Sequence, residues 1–126
     1  MSFDWADYLK LADELCAKPF SSRNTEAKRR SAISRAYYAA FGRSREHLRR
    51  RDRDWNIPTG PEAHEYVRLK FERSPNRTRR RVASNLARLR DERNKADYND
   101  VIKGLGSLSR MAIKLADQVM QDLDSL

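Results

Sequence analysis

Apolar residues recur along the chain every three or four positions, the period of a helix with one buried face. Trp5, Tyr8, Leu9, Ala12, Leu15 and Cys16 form the first stripe. It predicts a helix over residues 4–17, capped by Ser2 or Asp4. Pro19 follows, and residues 20–24 read as a connection. A second stripe of Ile33, Tyr37, Ala40, Phe41 and Leu48 predicts a long helix over 25–51. Ser34, Arg35, Tyr38 and Arg45 share another face of it, which looks either into a cleft or into water. Residues 52–61, DRDWNIPTGP, read as a loop whose Trp55 and Ile57 are expected to be pinned to the core. His64, Val67, Leu69 and Phe71 place a short third helix over 62–73. Ser74 and Pro75 offer a cap and a first-turn proline to a fourth helix running to residue 95. The last stripe, Val101, Leu105, Leu108, Met111 or Ala112, Leu115, Val119 and Leu123, predicts a helix starting between 97 and 100. Gly104 and Gly106 weaken its first turns.

This pattern predicts one all-α domain over 1–126, an up-and-down bundle of four main helices plus one short helix. A chain of 126 residues supports a single core. Only four glycines and four prolines argue against a sandwich or barrel. No apolar run approaches the roughly 20 residues of a membrane span. The N-terminus, MSFDWADYLK, lacks the basic-then-apolar order of a signal peptide. The single Cys16, placed on the apolar face of the first helix, excludes an intramolecular disulfide. The expectation is a soluble, cytoplasmic protein without membrane contact.

Charge sharpens that picture. The formal net charge is +9, and residues 23–95 hold 22 of the Lys and Arg against nine Asp and Glu. Twenty of the 27 basic residues are Arg, which forks onto phosphate and stacks on bases better than Lys does. A basic middle between acidic ends points to a polyanionic partner, with nucleic acid first among candidates. Arginines 49–51 and 53 stand near a helix C-terminus, where they complement the helix dipole. Arg77, Arg79, Arg80 and Arg81 stand near a helix N-terminus, where the dipole disfavours cations, and this favours phosphate binding. There is no glycine-rich phosphate loop and no Cys/His spacing for a metal, so no metal or cofactor is expected.

The stretch 86–100, LARLRDERNKADYND, carries most information. The stripe Val82, Leu86, Leu89 continues one turn later with Arg93, where an unpaired buried guanidinium would be costly. Arg93, Asn94, Asp97 and Tyr98 form a polar cluster where the helical pattern breaks, which is where function is expected. Two readings stand side by side. Arg93 pairs with Asp97 at i, i+4 and caps a helix junction, or its guanidinium sits in a crevice and holds a phosphate. Arg90 joins Arg35 and Tyr38 as further candidate contacts to nucleic acid.

The run SAISRAYYAAFGRSREHL (31–48) together with LRDERNKADYND (89–100) resembles the HEPN domain, a nucleotide-binding helical bundle. Tyr37, Tyr38 and Phe41, with Arg93-Asn94, carry most of the likeness. GPEAHEYVRLKF (60–71) is similar to the connecting region of compact single-domain members. The resemblance implies a homodimer with a positively charged cleft. It also implies RNA (tRNA or mRNA) as partner and a place in a toxin–antitoxin or defence system beside a nucleotidyltransferase antitoxin. Many such proteins are metal-independent ribonucleases, with an Arg, a polar residue and then a His after four to six intervening residues. The His moves a proton at the ribose 2′-hydroxyl and the Arg stabilises the phosphorane-like transition state.

Arg93 and Asn94 match that motif, but Asp97 and Tyr98 stand where the His is expected. Neither has the acid–base strength of imidazole at neutral pH. His64 is the imidazole able to approach from the third helix. The implied roles are phosphate contact for Arg93, hydrogen bonding for Asn94 and orientation of Arg93 for Asp97. Tyr98 would stack on a base or accept a modification. The alternative is a non-catalytic helical module that partners a nucleotidyltransferase or another protein. A DNA-binding regulator is weaker, since there is no tight helix-turn-helix.

Overall fold

A computed structural model of the protein describes residues 3–17 and 24–126; Ser2, Pro19 and the expected connection at 20–23 lie outside them. Five helices follow in order: α1 (Ala6–Cys16), α2 (Thr25–Arg50), α3 (Glu62–Glu72), α4 (Arg77–Tyr98) and α5 (Leu105–Ser125). No strand occurs among the described residues. The all-α bundle read from the apolar periodicity is what the chain forms.

The helix α2 is buried on most sides: Ala32, Ile33, Ala36, Tyr37, Ala39, Ala40, Phe41, Gly42, Ser44 and Leu48 are all inaccessible. The buried stretch is its middle, residues 32–44, which places the helix at the centre of the bundle, while its charged residues gather toward the two ends apart from Arg35 and Arg43. Its many alanines let neighbours approach closely. Trp5 lies against Gly42 and Tyr8 lies under Arg35, so α1 runs antiparallel to α2. Arg79 pairs with Asp52 just beyond one end of α2, while Arg30 near its other end reaches Ala96, so α4 is also antiparallel to α2. Arg81 meets Asp122 and Arg88 meets Met111, which turns α5 back along α4. The four long helices therefore run up, down, up and down. The short α3 sits in the connection between α2 and α4 and packs Val67 and Phe71 inward. Among the described residues no helix is long and apolar enough to cross a membrane.

Local chemistry shifts several boundaries. Asp4 caps α1 by accepting from the Ala6 N–H. At α4 the cap is Asn76, whose side chain accepts from the Arg79 N–H, while Ser74 bonds the Asn76 N–H one step earlier. Pro75 thus precedes the cap and does not open the helix. The α4 helix continues to Tyr98, and α5 begins only at Leu105, after Gly104 in a left-handed conformation (φ 68°). Val101, the expected start of the last stripe, is 79% exposed. Arg30 caps the C-terminal end of α4 by donating to the carbonyls of Ala96, Asn99 and Asp100, which closes the junction helically unsatisfied carbonyls would leave open. Trp55, expected in the core, is 78% exposed; only Ile57 of that loop packs inward. The loop turns through Arg53 at positive φ and is anchored by Asp54 instead, which accepts from the Tyr66 hydroxyl. That anchor satisfies the loop without the indole.

Candidate functional site

A cleft of about 570 Å³ opens where α2, α3 and α4 converge with the start of α1. Each wall comes from a different element. Tyr38, Phe41 and Arg45 come from α2, His64 from the first turn of α3, and Arg90, Arg93 and Tyr98 from α4. Trp5 closes the edge beside α1, and Thr59, Gly60 and Pro61 line it from the loop before α3. Trp5 can lie there because Gly42 has no side chain; a Cβ at that position would overlap its indole ring.

The electrostatics of the cleft are lopsided. Arg93 is 13% exposed at its side chain and pairs with Asp97 at 3.5 Å, one turn along α4. Its guanidinium carbon lies 5.5 Å from the ring centres of both Tyr37 and Tyr38. Arg90 makes no ion pair or hydrogen bond among the described residues. The Nε atoms of Arg90 and Arg93 are both buried without a hydrogen-bond partner there. A guanidinium carries five N–H donors, and leaving buried donors unmet costs free energy. Two such groups, three residues apart on one helix and repelling each other, make an arrangement that an anion would relieve.

Beside them stands a coupled pair of rings. The Tyr37 hydroxyl lies 2.5 Å from Nδ1 of His64, and His64 stacks on Phe41 with ring centres 4.4 Å apart. Burial raises the Tyr37 phenol well above its ordinary range, against the opposing pull of Arg90 and Arg93. The hydroxyl therefore keeps its proton. His64 is depressed below its ordinary value, first by burial and then by Arg90, Arg93 and Arg45. It is neutral at pH 7. A protonated phenol whose one partner is Nδ1 donates to it, which assigns the imidazole proton to Nε2. In this form His64 offers a donor and no free lone pair.

A second cavity of about 340 Å³ lies on the other side of the Arg93–Asp97 pair, lined by Arg30, Ser31, Ser34, Arg35, Ala96 and Asp97. Arg35 sits 4.8 Å from the Tyr8 ring centre and 5.6 Å from that of Tyr38. Tyr38 is thus flanked by two guanidinium groups, one for each cavity.

The structure brings together Arg93, Arg90, His64, Tyr38 and Tyr98 around the cleft, and Arg35 with Asp97 around the adjoining cavity. Asn94 is exposed on α4 and lines neither. The arginines at the start of α4 have structural reasons to be there. Arg79 forms a bidentate pair with Asp52, Arg80 donates to the carbonyls of Ser74 and Pro75, and Arg81 grips the buried Asp122. These partners offset the unfavourable helix dipole that suggested a phosphate there; Arg77 is exposed. Tyr37 and Trp5 belong to the site although their spacing reads as core. Their signal in sequence is indirect: Gly42 in an otherwise regular helix marks a close approach.

No family model matches the chain, and neither does any curated protein or solved structure.

Proposed function

We propose that the protein binds RNA, with a backbone phosphate held in the cleft by Arg90, Arg93 and the Nε2–H of His64. The observation that carries this reading is the pair of half-buried guanidinium groups in one cleft, each with a buried Nε–H that has no acceptor and only Arg93 ion-paired, beside a neutral imidazole donor. Tyr98, 77% exposed at the rim, offers a face on which an unpaired base can stack. The cleft has the volume of a small-ligand pocket, which suits a nucleotide of a single strand and not a duplex. The charge of residues 23–95 supplies the longer-range attraction. On the HEPN likeness, the proposal extends to a homodimer acting in a toxin–antitoxin or defence system with a nucleotidyltransferase as partner.

A second reading, metal-independent cleavage at the bound phosphate, is favoured by one observation: an imidazole shares the cleft with Arg93. The two are separated by experiment. Fluorescence anisotropy with a labelled single-stranded RNA, at low and high salt, reads binding. The native protein binds with a steep salt dependence, and Arg93→Ala loses most of the affinity. No affinity for RNA, with a stable complex to a nucleotidyltransferase instead, replaces the proposal by a protein-binding module. Incubation with tRNA and total RNA in chelator reads cleavage. Products from the native protein but not from Arg93→Ala establish the second reading; equal or absent products remove it.

A further inference from the structure

Along the ridge between the two cavities the side chains alternate in sign. Arg93 faces the cleft, Asp97 contacts it at 3.5 Å and lines the adjoining cavity, and Arg35 lines that cavity beside Asp97. Arg93 and Arg35 are tied into one unit by Tyr38, since each lies within 5.6 Å of its ring centre. Arg30, the other cation of the second cavity, is engaged with the carbonyls at the end of α4 and with Glu26. Arg35 has no ion pair among the described residues, so it is the cation that cavity presents.

The order is cation, carboxylate, cation. One strand of RNA presents the complementary order: a phosphate, a ribose 2′-hydroxyl that can donate a hydrogen bond, and the next phosphate. A second phosphate placed directly at Asp97 would face a like charge, whereas a hydroxyl there meets an acceptor. The Asp97 side chain is 32% exposed and makes a single long contact to Arg93, which leaves lone pairs to accept. The 2′-hydroxyl is the group by which a protein distinguishes RNA from DNA at a given position.

We infer that the RNA strand crosses the Arg93–Asp97 ridge, with Asp97 accepting from a ribose 2′-hydroxyl and Arg35 holding the next phosphate. Asp97 is then the residue that selects RNA over DNA. This rests on the RNA-binding reading, but it fails separately from it.

The test compares single-stranded RNA, the same sequence as DNA, and its 2′-O-methyl form, with native protein, Asp97→Ala and Arg35→Gln. The native protein prefers RNA over the other two by about tenfold, the worth of one hydrogen bond to a charged group. Asp97→Ala abolishes the preference, so that RNA, DNA and the 2′-O-methyl form bind alike. Arg35→Gln weakens RNA and DNA oligonucleotides alike but leaves a mononucleotide unaffected. If Asp97 only orients Arg93, RNA and DNA affinities fall together in Asp97→Ala with the preference for RNA kept, and the inference is overturned while RNA binding stands. Equal native affinity for RNA and DNA overturns it too. Absence of any oligonucleotide binding by the native protein overturns both readings. Circular dichroism of each variant confirms that the fold is intact, and Asp97→Asn, which keeps an acceptor oxygen, retains part of the RNA preference.

Discussion

The phenol of Tyr37 and the imidazole of His64 are joined at 2.5 Å through Nδ1, and their rings lie nearly parallel with centres 5.6 Å apart. This hydrogen bond, with the stacking of His64 on Phe41, couples the innermost helix of the bundle to the short helix that shapes the cleft. It also fixes which nitrogen of His64 carries the proton.

Removing the hydroxyl tests that coupling. Tyr37→Phe keeps the ring in the core and leaves Nδ1 without its donor. We expect a loss of about 1–3 kcal/mol, the cost of an unmet buried polar atom, read by urea denaturation. The nitrogen chemical shifts of the His64 ring should change from a single Nε2–H form to a mixture of tautomers. An unchanged spectrum would show that Tyr37 does not set the proton's position.

Both histidines impose a pH dependence of the same sign. His64 is depressed by burial, then by Arg90, Arg93 and Arg45. His47 is depressed by burial and then by Arg79, with Asp52 opposing and Arg51 adding to the depression. A depressed imidazole binds its proton less readily folded than unfolded, so the unfolded chain takes up protons first. Stability is fully present above the ordinary histidine value of about 6.5 and declines as pH falls through it. Denaturation midpoints at pH 7.5 and 5.5 should differ in that direction. The difference should shrink in the double variant His47→Gln/His64→Gln.

Much of this fold is legible in the chain because helices report themselves through spacing. The stripes of α2, α4 and α5 hold in the structure, and Arg93 is conspicuous because it continues one of them. Arg93 is paired with Asp97 as the i, i+4 spacing suggests and it also lines a crevice, but the end of the helix is capped by Arg30 and not by that pair. What periodicity cannot report is long-range pairing. Arg79 and Arg81 look like part of a free basic cluster until Asp52 and Asp122 arrive from elsewhere in the chain, while Arg80 turns back onto the Ser74 and Pro75 carbonyls just before its own helix. Val101 fits the register of α5 but lies before a left-handed Gly104 that starts the helix later. Tyr37 reads as core, and is core, yet its one polar atom reaches the site.

Gly42 controls the width of the cleft through Trp5. Gly42→Ala places a methyl group where the indole ring lies, so the ring must leave or the helices must part. We expect a loss of about 1–3 kcal/mol from overpacking. In a Trp55→Phe background the emission of Trp5 should shift to longer wavelength as the ring becomes solvated. Adding Trp5→Ala should recover part of the stability, since the clash is then gone. Stability equal to the native protein in Gly42→Ala alone would mean that the indole does not pack there.

The two classes of arginine on α4 should separate cleanly in paired variants. Arg81 holds the Asp122 carboxyl below its ordinary value by its hydrogen bonds, helped by Gln118 and opposed by burial. That depressed carboxyl contributes stability that is present above its unfolded value and lost as pH falls through the folded one. Arg81→Gln should therefore start acid unfolding at a higher pH while leaving RNA affinity unchanged. Arg90 has no such partner, and its neighbour Arg93 repels it. Arg90→Gln should leave thermal stability unchanged or slightly raised, because a poorly satisfied charge is removed from a basic cleft. Its RNA affinity should drop, and the slope of log affinity against log salt should become shallower by about one, the signature of one lost phosphate contact. Loss of RNA affinity in Arg81→Gln at neutral pH, with Arg90→Gln unaffected, would move the binding surface from the cleft to the start of α4.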